Sequence, residues 1–145
     1  MTDEQLIDLG RRAVACKGWR WMPGMLALDS TDEEHPGRVI DDRKALVYED
    51  ADGAIREGVV ARSDLPDLTD PATLGCLLEL VREVLGEPLA SVEVRQPGDL
   101  GCRACVRVPV GSEGWRVVQW WCASQDPQYS EAAALVAALE ACNGA

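Results

Sequence analysis

Residues 67–86, reading Asp67-Leu-Thr-Asp-Pro-Ala-Thr-Leu-Gly-Cys-Leu-Leu-Glu-Leu-Val-Arg-Glu-Val-Leu-Gly86, spell out one helix from start to stop. Thr69 or Asp70 is suited to accept the orphan N–H groups of the first turn. Pro71 fits the first helical position, where its missing N–H had no partner, and Gly86 suits a left-handed stop. Between these signals Leu74, Leu77, Leu78, Val81 and Leu85 fall on one face. A helix with one apolar face must be covered, so the rest of the chain has to supply a second layer.

The flanking segments do so. Helical spacing of Leu6, Leu9, Ala13 and Cys16 predicts a first helix over about Asp3–Lys17, with Thr2 as N-cap, Gln5 in capping-box position and Gly18 as its end. The stretch Trp19–Leu28 reads as extended but is broken by Pro23 and Gly24, which predicts an edge element or two short pieces. Asp29–Gly37 reads as a polar loop. Ala45–Glu49 and Ala54–Val60, joined by Asp50-Ala-Asp-Gly53, read as a hairpin. Ser91–Arg95, Arg103–Val110 and Trp115–Cys122 predict a three-stranded antiparallel meander, whose last strand, apolar on both faces, is expected at its centre. A last helix over about Glu131–Cys142 takes Ser130 as its cap, turns Ala132, Leu135, Val136 and Leu139 inward, and stops at Asn143-Gly144. Runs of strands separated by single helices predict one α+β domain: an antiparallel sheet with three helices packed on it, residues 29–64 forming an acidic loop and hairpin insertion.

At 145 residues a single core buries roughly 68–70% of the unfolded surface, so neither a metal nor a disulfide is needed for folding. The 14 Lys and Arg against 25 Asp and Glu give a net charge of −11, the wrong sign for neutralising phosphates, so direct nucleic-acid binding is not expected. Residues 29–70 hold 13 acids against five bases, which makes the middle third the acidic part. No run of 18 apolar residues and no basic, apolar leader is present, so a cytoplasmic protein is expected, without membrane contact. In that compartment Cys16, Cys76, Cys102, Cys105, Cys122 and Cys142 should be thiols.

Cys102-Arg-Ala-Cys105 has the spacing of a zinc or thiol-exchange motif, but no second pair follows and the single His35 lies in the acidic loop. On one strand the two cysteines also point to opposite faces. Asp29, Asp32, Glu33 and Glu34 lack the spacing of a calcium loop. No Ser–His–acid set, nucleophile elbow or glycine-rich phosphate loop occurs, so no catalytic residue, metal or cofactor is assigned. Two groups remain as candidate sites. Asp41, Asp42, Glu49, Asp50 and Asp52, with an exposed Trp19 or Trp120, could present negative charge and aromatic surface to a protein partner. Alternatively Arg95, Arg103, Arg107 and Arg116 on the meander, if buried, could grip a small anionic ligand such as a nucleotide signal. In a chain with no Phe, at least two of the five tryptophans, Trp19, Trp21, Trp115, Trp120 and Trp121, are needed for the core, which leaves one or two for a surface.

The phrases Gly18-Trp-Arg-Trp-Met-Pro-Gly24, Leu65-Pro-Asp-Leu-Thr-Asp-Pro-Ala-Thr-Leu-Gly-Cys-Leu-Leu78 and Ser130-Glu-Ala-Ala-Ala-Leu-Val-Ala-Ala-Leu-Glu140 resemble a recurrent group of short bacteriophage and prophage proteins. Residues 65–143 are similar in pattern to the phage α-β-α sandwich domain, although Gln128-Tyr-Ser130 stands where that pattern has a threonine or glycine-threonine start, and 29–64 has no counterpart. The resemblance carries no catalytic motif. It implies a phage protein that binds a host component inside the bacterial cell, such as an inhibitor of a nucleic-acid-binding defence protein of the CRISPR effector kind. A ligand-sequestering protein, or a phage accessory or structural protein that forms homo-oligomers, stands as the alternative.

Overall fold

In the computed structural model, residues 2–28, 36–95, 102–112, 114–124 and 127–142 are described, the side chains of 102, 119–124 and 127–128 excepted. The element order is α1 (Asp3–Val14), β1 (Leu26–Leu28), β2 (Gly37–Val39), β3 (Ala45–Glu49), β4 (Ile55–Val59), β5 (Leu65–Pro66), α2 (Pro71–Leu85), β6 (Ser91–Arg95), β7 (Cys102–Val110), β8 (Gly114–Ser124) and α3 (Pro127–Ala141). The α+β class, the antiparallel pairing and the three helices are as expected. The strands divide between two sheets, one ordered β4-β3-β2-β1-β5 and one ordered β6-β7-β8.

Helix α3 lies at the centre. Ala132, Ala133, Ala134, Leu135, Val136, Ala138 and Leu139 are each at most 1% exposed, so this helix is covered on every side. It packs against β6, β7 and β8 and also against α1 and α2. Alanines suit that position because they keep helix propensity high while letting neighbouring layers approach closely. Ser130 is not the cap expected of it: the helix begins three residues earlier at Pro127, and Ser130 is fully buried within it. Pro has no N–H to leave unpaired and so suits that start.

Helix α1 has the expected capping box, Thr2 Oγ1 accepting from Gln5 N at 3.2 Å and Gln5 Oε1 accepting from Thr2 N at 3.0 Å. It ends at Val14 rather than at Lys17 or Gly18. Gly18 instead serves close packing, since a Cβ there would run into the Val84 side chain. Helix α2 uses Asp70 as cap, Pro71 at its first turn and Gly86 in the left-handed conformation at its end. Thr73 and Leu80 join Leu74, Leu77 and Val81 as its buried residues, whereas Leu78 and Leu85 are half-buried.

Asp70 also ties α2 to the larger sheet. Its carboxylate accepts from Thr73 N at 2.9 Å, from Thr73 Oγ1 at 2.8 Å and from Arg38 Nη1 of β2 at 2.6 Å. Thr73 Oγ1 in turn accepts from Leu26 N of β1 at 2.8 Å, and Arg38 donates to Gly24 O at 2.8 Å. Burial pushes the Asp70 carboxyl up, but the hydrogen bonds from Arg38 and Thr73, with the Arg38 charge, outweigh it and hold the group below its ordinary range.

Three strand expectations are corrected. The Trp19–Leu28 stretch yields only Leu26–Leu28, and that strand is flanked on both sides by β2 and β5 rather than lying at an edge. Gly37, read as loop, opens β2, which pairs with β1 and β3; residues 29–35 lie outside the described residues. In the meander β7 is central and β8 is a margin. Apolar residues on both faces of β8 do not require cover, because Trp115 and Val117 are exposed.

Two stability outcomes follow. Ala134→Leu, which adds volume where α3 has no free side, should lower unfolding free energy by about 1–3 kcal/mol in urea melts. Asp70→Ala should cost about 1–3 kcal/mol through the lost cap and an abandoned Arg38. Because the folded Asp70 titrates below its unfolded value, its contribution is complete above about pH 4 and vanishes as pH falls through the depressed value. Asp70→Asn should accordingly flatten the acid limb of a stability–pH profile.

Candidate functional site

The β3–β4 hairpin is the margin of the five-stranded sheet, and its two turns are built by acids. Asp41 Oδ1 accepts from Arg43 N at 2.9 Å and Ala45 N at 3.1 Å. Asp50 Oδ1 accepts from Asp52 N and Ala54 N, each at 3.0 Å, and Oδ2 accepts from Arg56 Nε at 2.8 Å. Such side-chain bonds to the backbone two to four residues on are how Asp closes a turn. Gly53 supplies a positive φ of 79° at the hairpin tip. Lys44 does so at 66° in the β2–β3 turn, where a non-glycine residue costs about 1 kcal/mol.

The five acids expected to act together therefore do two different jobs. Asp41 and Asp50 are committed to the turns, while Asp42, Glu49 and Asp52 are exposed and form no ion pair among the described residues. The register pairs Glu49 with Ile55, Val47 with Glu57 and Ala45 with Val59, which puts these six residues on one face. On that face Ile55 and Val59 are 71% and 69% exposed. Leu46 and Tyr48 hold the opposite face against the core. The outcome is an exposed strand in which two apolar side chains flank Glu57 and carboxylates stand at both turns. Ile55, Glu57 and Val59 were not singled out from the sequence, although their alternation in Ile55-Arg-Glu-Gly-Val59 was visible there.

The tryptophans are dispersed. Trp19 and Trp21 meet edge to face, with centroids 5.4 Å apart and planes at 85°. Trp21 is buried and Trp19 half-buried against the core, and the Trp19 indole N–H is buried without a hydrogen-bond partner. Trp120 stands opposite Cys105 in the β7–β8 register; its side chain lies outside the described residues.

Of the meander arginines, Arg95, Arg103 and Arg107 share the open face of the smaller sheet, while Arg116, opposite Val108, falls on the other. None is buried: Arg95, Arg103 and Arg116 are exposed and Arg107 is half-buried. Arg95 Nε and Arg107 Nη1 grip the Glu93 carboxylate at 2.9 and 2.8 Å, and the Arg107 guanidinium lies 4.3 Å above the centre of the Trp115 ring. The hydrogen bond from Arg95, with the two guanidinium charges, outweighs desolvation and lowers the Glu93 carboxyl. Beside them Cys105 is buried, and burial followed by the Glu93 charge pushes its thiol up, away from the reactive thiolate. Arg95 and Arg107 thus form a satisfied network with Glu93, and among the described residues the four arginines line no enclosed site.

Cys16, Cys76, Cys105 and Cys142 are free thiols. Among the described residues no group of three His, Cys, Asp or Glu could hold a metal ion, and no helix is long and apolar enough to cross a membrane. Asp29, Asp32, Glu33, Glu34 and His35 lie outside the described residues. Comparison with protein-family models, with curated proteins and with solved structures gave no match to this chain.

The division of labour among the acids is measurable. Asp41→Ala and Asp50→Ala should each lower stability by about 0.5–2 kcal/mol, whereas Asp42→Ala and Asp52→Ala should stay within about 0.5 kcal/mol of the parent in urea melts.

Proposed function

We propose that this chain is a non-enzymatic binding protein whose contact surface is the outward face of the β3–β4 hairpin. The observation that carries the reading is the exposure of Ile55 and Val59 on the outermost strand, on either side of Glu57. Large apolar side chains this bare on a sheet margin are a hazard unless something covers them. Acids around an apolar centre give that cover a sign: residues 41–59 carry six acids against three bases, so the complementary partner is basic. An apolar centre supplies contact area, and the surrounding carboxylates supply encounter rate and orientation. Basic grooves are typical of proteins that handle nucleic acid. Together with the resemblance to short phage proteins, this favours a host defence protein of that type, such as a CRISPR effector, as the partner.

The test compares capture of bacterial host proteins by the parent chain, by Ile55→Lys with Val59→Lys, and by Asp42→Lys with Asp52→Lys. Neither pair includes the turn-closing Asp41 or Asp50, so the fold is preserved. A basic protein should be retained by the parent at low salt, and its affinity should fall at least tenfold in either double variant and at high ionic strength. Capture that survives both variants and high salt rejects this surface. Sedimentation of the parent as a dimer that Ile55→Lys converts to a monomer rejects it equally, because the strand would then be covered by a second copy.

A further inference from the structure

Two adjoining clefts, each of about 370 Å³, open where the C-terminal end of α1, the Trp19–Trp21 segment, the β2–β3 turn and the β4–β5 connection meet, and they share Val14 and Arg62 as walls. Arg11, Arg20, Lys44 and Arg62 stand around them, an accumulation of positive charge in a chain whose net charge is −11. Arg20 is paired with Glu83 and also lies within the field of Asp42, whereas Arg11, Lys44 and Arg62 form no ion pair among the described residues. Asp64, in the same connection, is buried and its carboxylate accepts from Ala61 N at 2.8 Å.

Two further observations single out this place. Lys44 is the one non-glycine residue among those described with a positive φ, a conformation that glycine or asparagine would adopt more easily. The backbone there does not ask for a lysine, so a role for its ammonium group explains why one is present. Trp19 lines the same wall, half-buried, with its ring in reach of the cleft and its indole N–H turned into the protein. Unpaired cations next to an indole ring and the apolar Val14 and Val60 match a ligand that is anionic at one end and planar and apolar at the other.

We propose that this cleft binds a nucleoside phosphate, its phosphates held by Arg62 with Arg11 and Lys44 and its base against Trp19. Guanidinium forks bind phosphate oxygens in pairs, bases stack on tryptophan, and a volume of this order suits a ligand of nucleotide size. The site uses none of the meander arginines and neither Ile55 nor Val59, so Ile55→Lys separates it from the protein-binding surface, while Asp42, whose charge acts on Arg20, borders both.

Calorimetric titration with ATP in the absence of magnesium, beside AMP and inorganic pyrophosphate, tests it. ATP should bind saturably, quench tryptophan emission and bind at least tenfold more tightly than pyrophosphate. Lys44→Gly and Arg62→Ala should each weaken ATP at least tenfold. Because glycine relieves the backbone at position 44, Lys44→Gly should melt no lower than the parent, which separates loss of the ligand from loss of the fold. Ile55→Lys should leave ATP affinity unchanged. Absence of saturable binding, equal binding of ATP and pyrophosphate, or full affinity in Lys44→Gly and Arg62→Ala overturns the proposal.

Discussion

The covering of α3 on every side organises the molecule. A helix with seven residues between 132 and 139 at most 1% exposed needs neighbours all round, and here they are β6, β7 and β8 with α1 and α2. The alanines set the spacing of those layers, and Leu135, Val136 and Leu139 fill what remains. Because this helix is the common contact of the smaller sheet and the other two helices, a change in its volume reaches all of them. Close packing transmits such a change instead of absorbing it.

The larger sheet is attached by chemistry of another kind. Asp70 caps α2 and accepts from Arg38 of β2, while Thr73 accepts from Leu26 N of β1. A side chain needed to begin a helix is thus the one that docks a sheet against it. The hairpin then extends from β2 to the margin of the sheet. Leu46 is buried because it lies on the core-side face of the hairpin, whereas Ile55 and Val59 lie on the opposite face and stay in solvent.

What the sequence disclosed and what it withheld follow the range of the forces involved. The capping of α1 and α2 and the Asp50–Gly53 turn were legible because each is decided within a few residues. Strand β2 was not, since three residues, Gly37–Val39, have no alternation of their own and become a strand only by pairing with β1 and β3. Ser130 before an alanine run looks like a cap until the layers on all sides of α3 are known. The central place expected for β8 failed for a related reason: apolar residues on both faces indicate cover only where there is something to cover them. At the hairpin the acids were legible as a group, but their separation into turn closers and free carboxylates depended on hydrogen bonds. The cleft was not legible at all, because Arg11, Trp19, Lys44 and Arg62 come from four separate segments.

Net charge is therefore a poor guide to what a surface of this protein can bind. The value of −11 is a sum over regions of different character. Asp41, Asp50, Asp64 and Asp70 are engaged with backbone N–H groups and contribute to local order. Exposed carboxylates such as Asp42, Glu49 and Asp52 are the ones available to a partner. The same sum hides Arg11, Lys44 and Arg62 at the cleft, which form no ion pair among the described residues although Glu83, Asp42 and Asp64 stand nearby; their field acts over about a Debye length, roughly 8 Å at physiological salt. A molecule this acidic can repel nucleic acid as a whole and still hold a small phosphate-bearing ligand where its own cations converge, because a small ligand senses the local field and a polyanion spanning the surface senses the total.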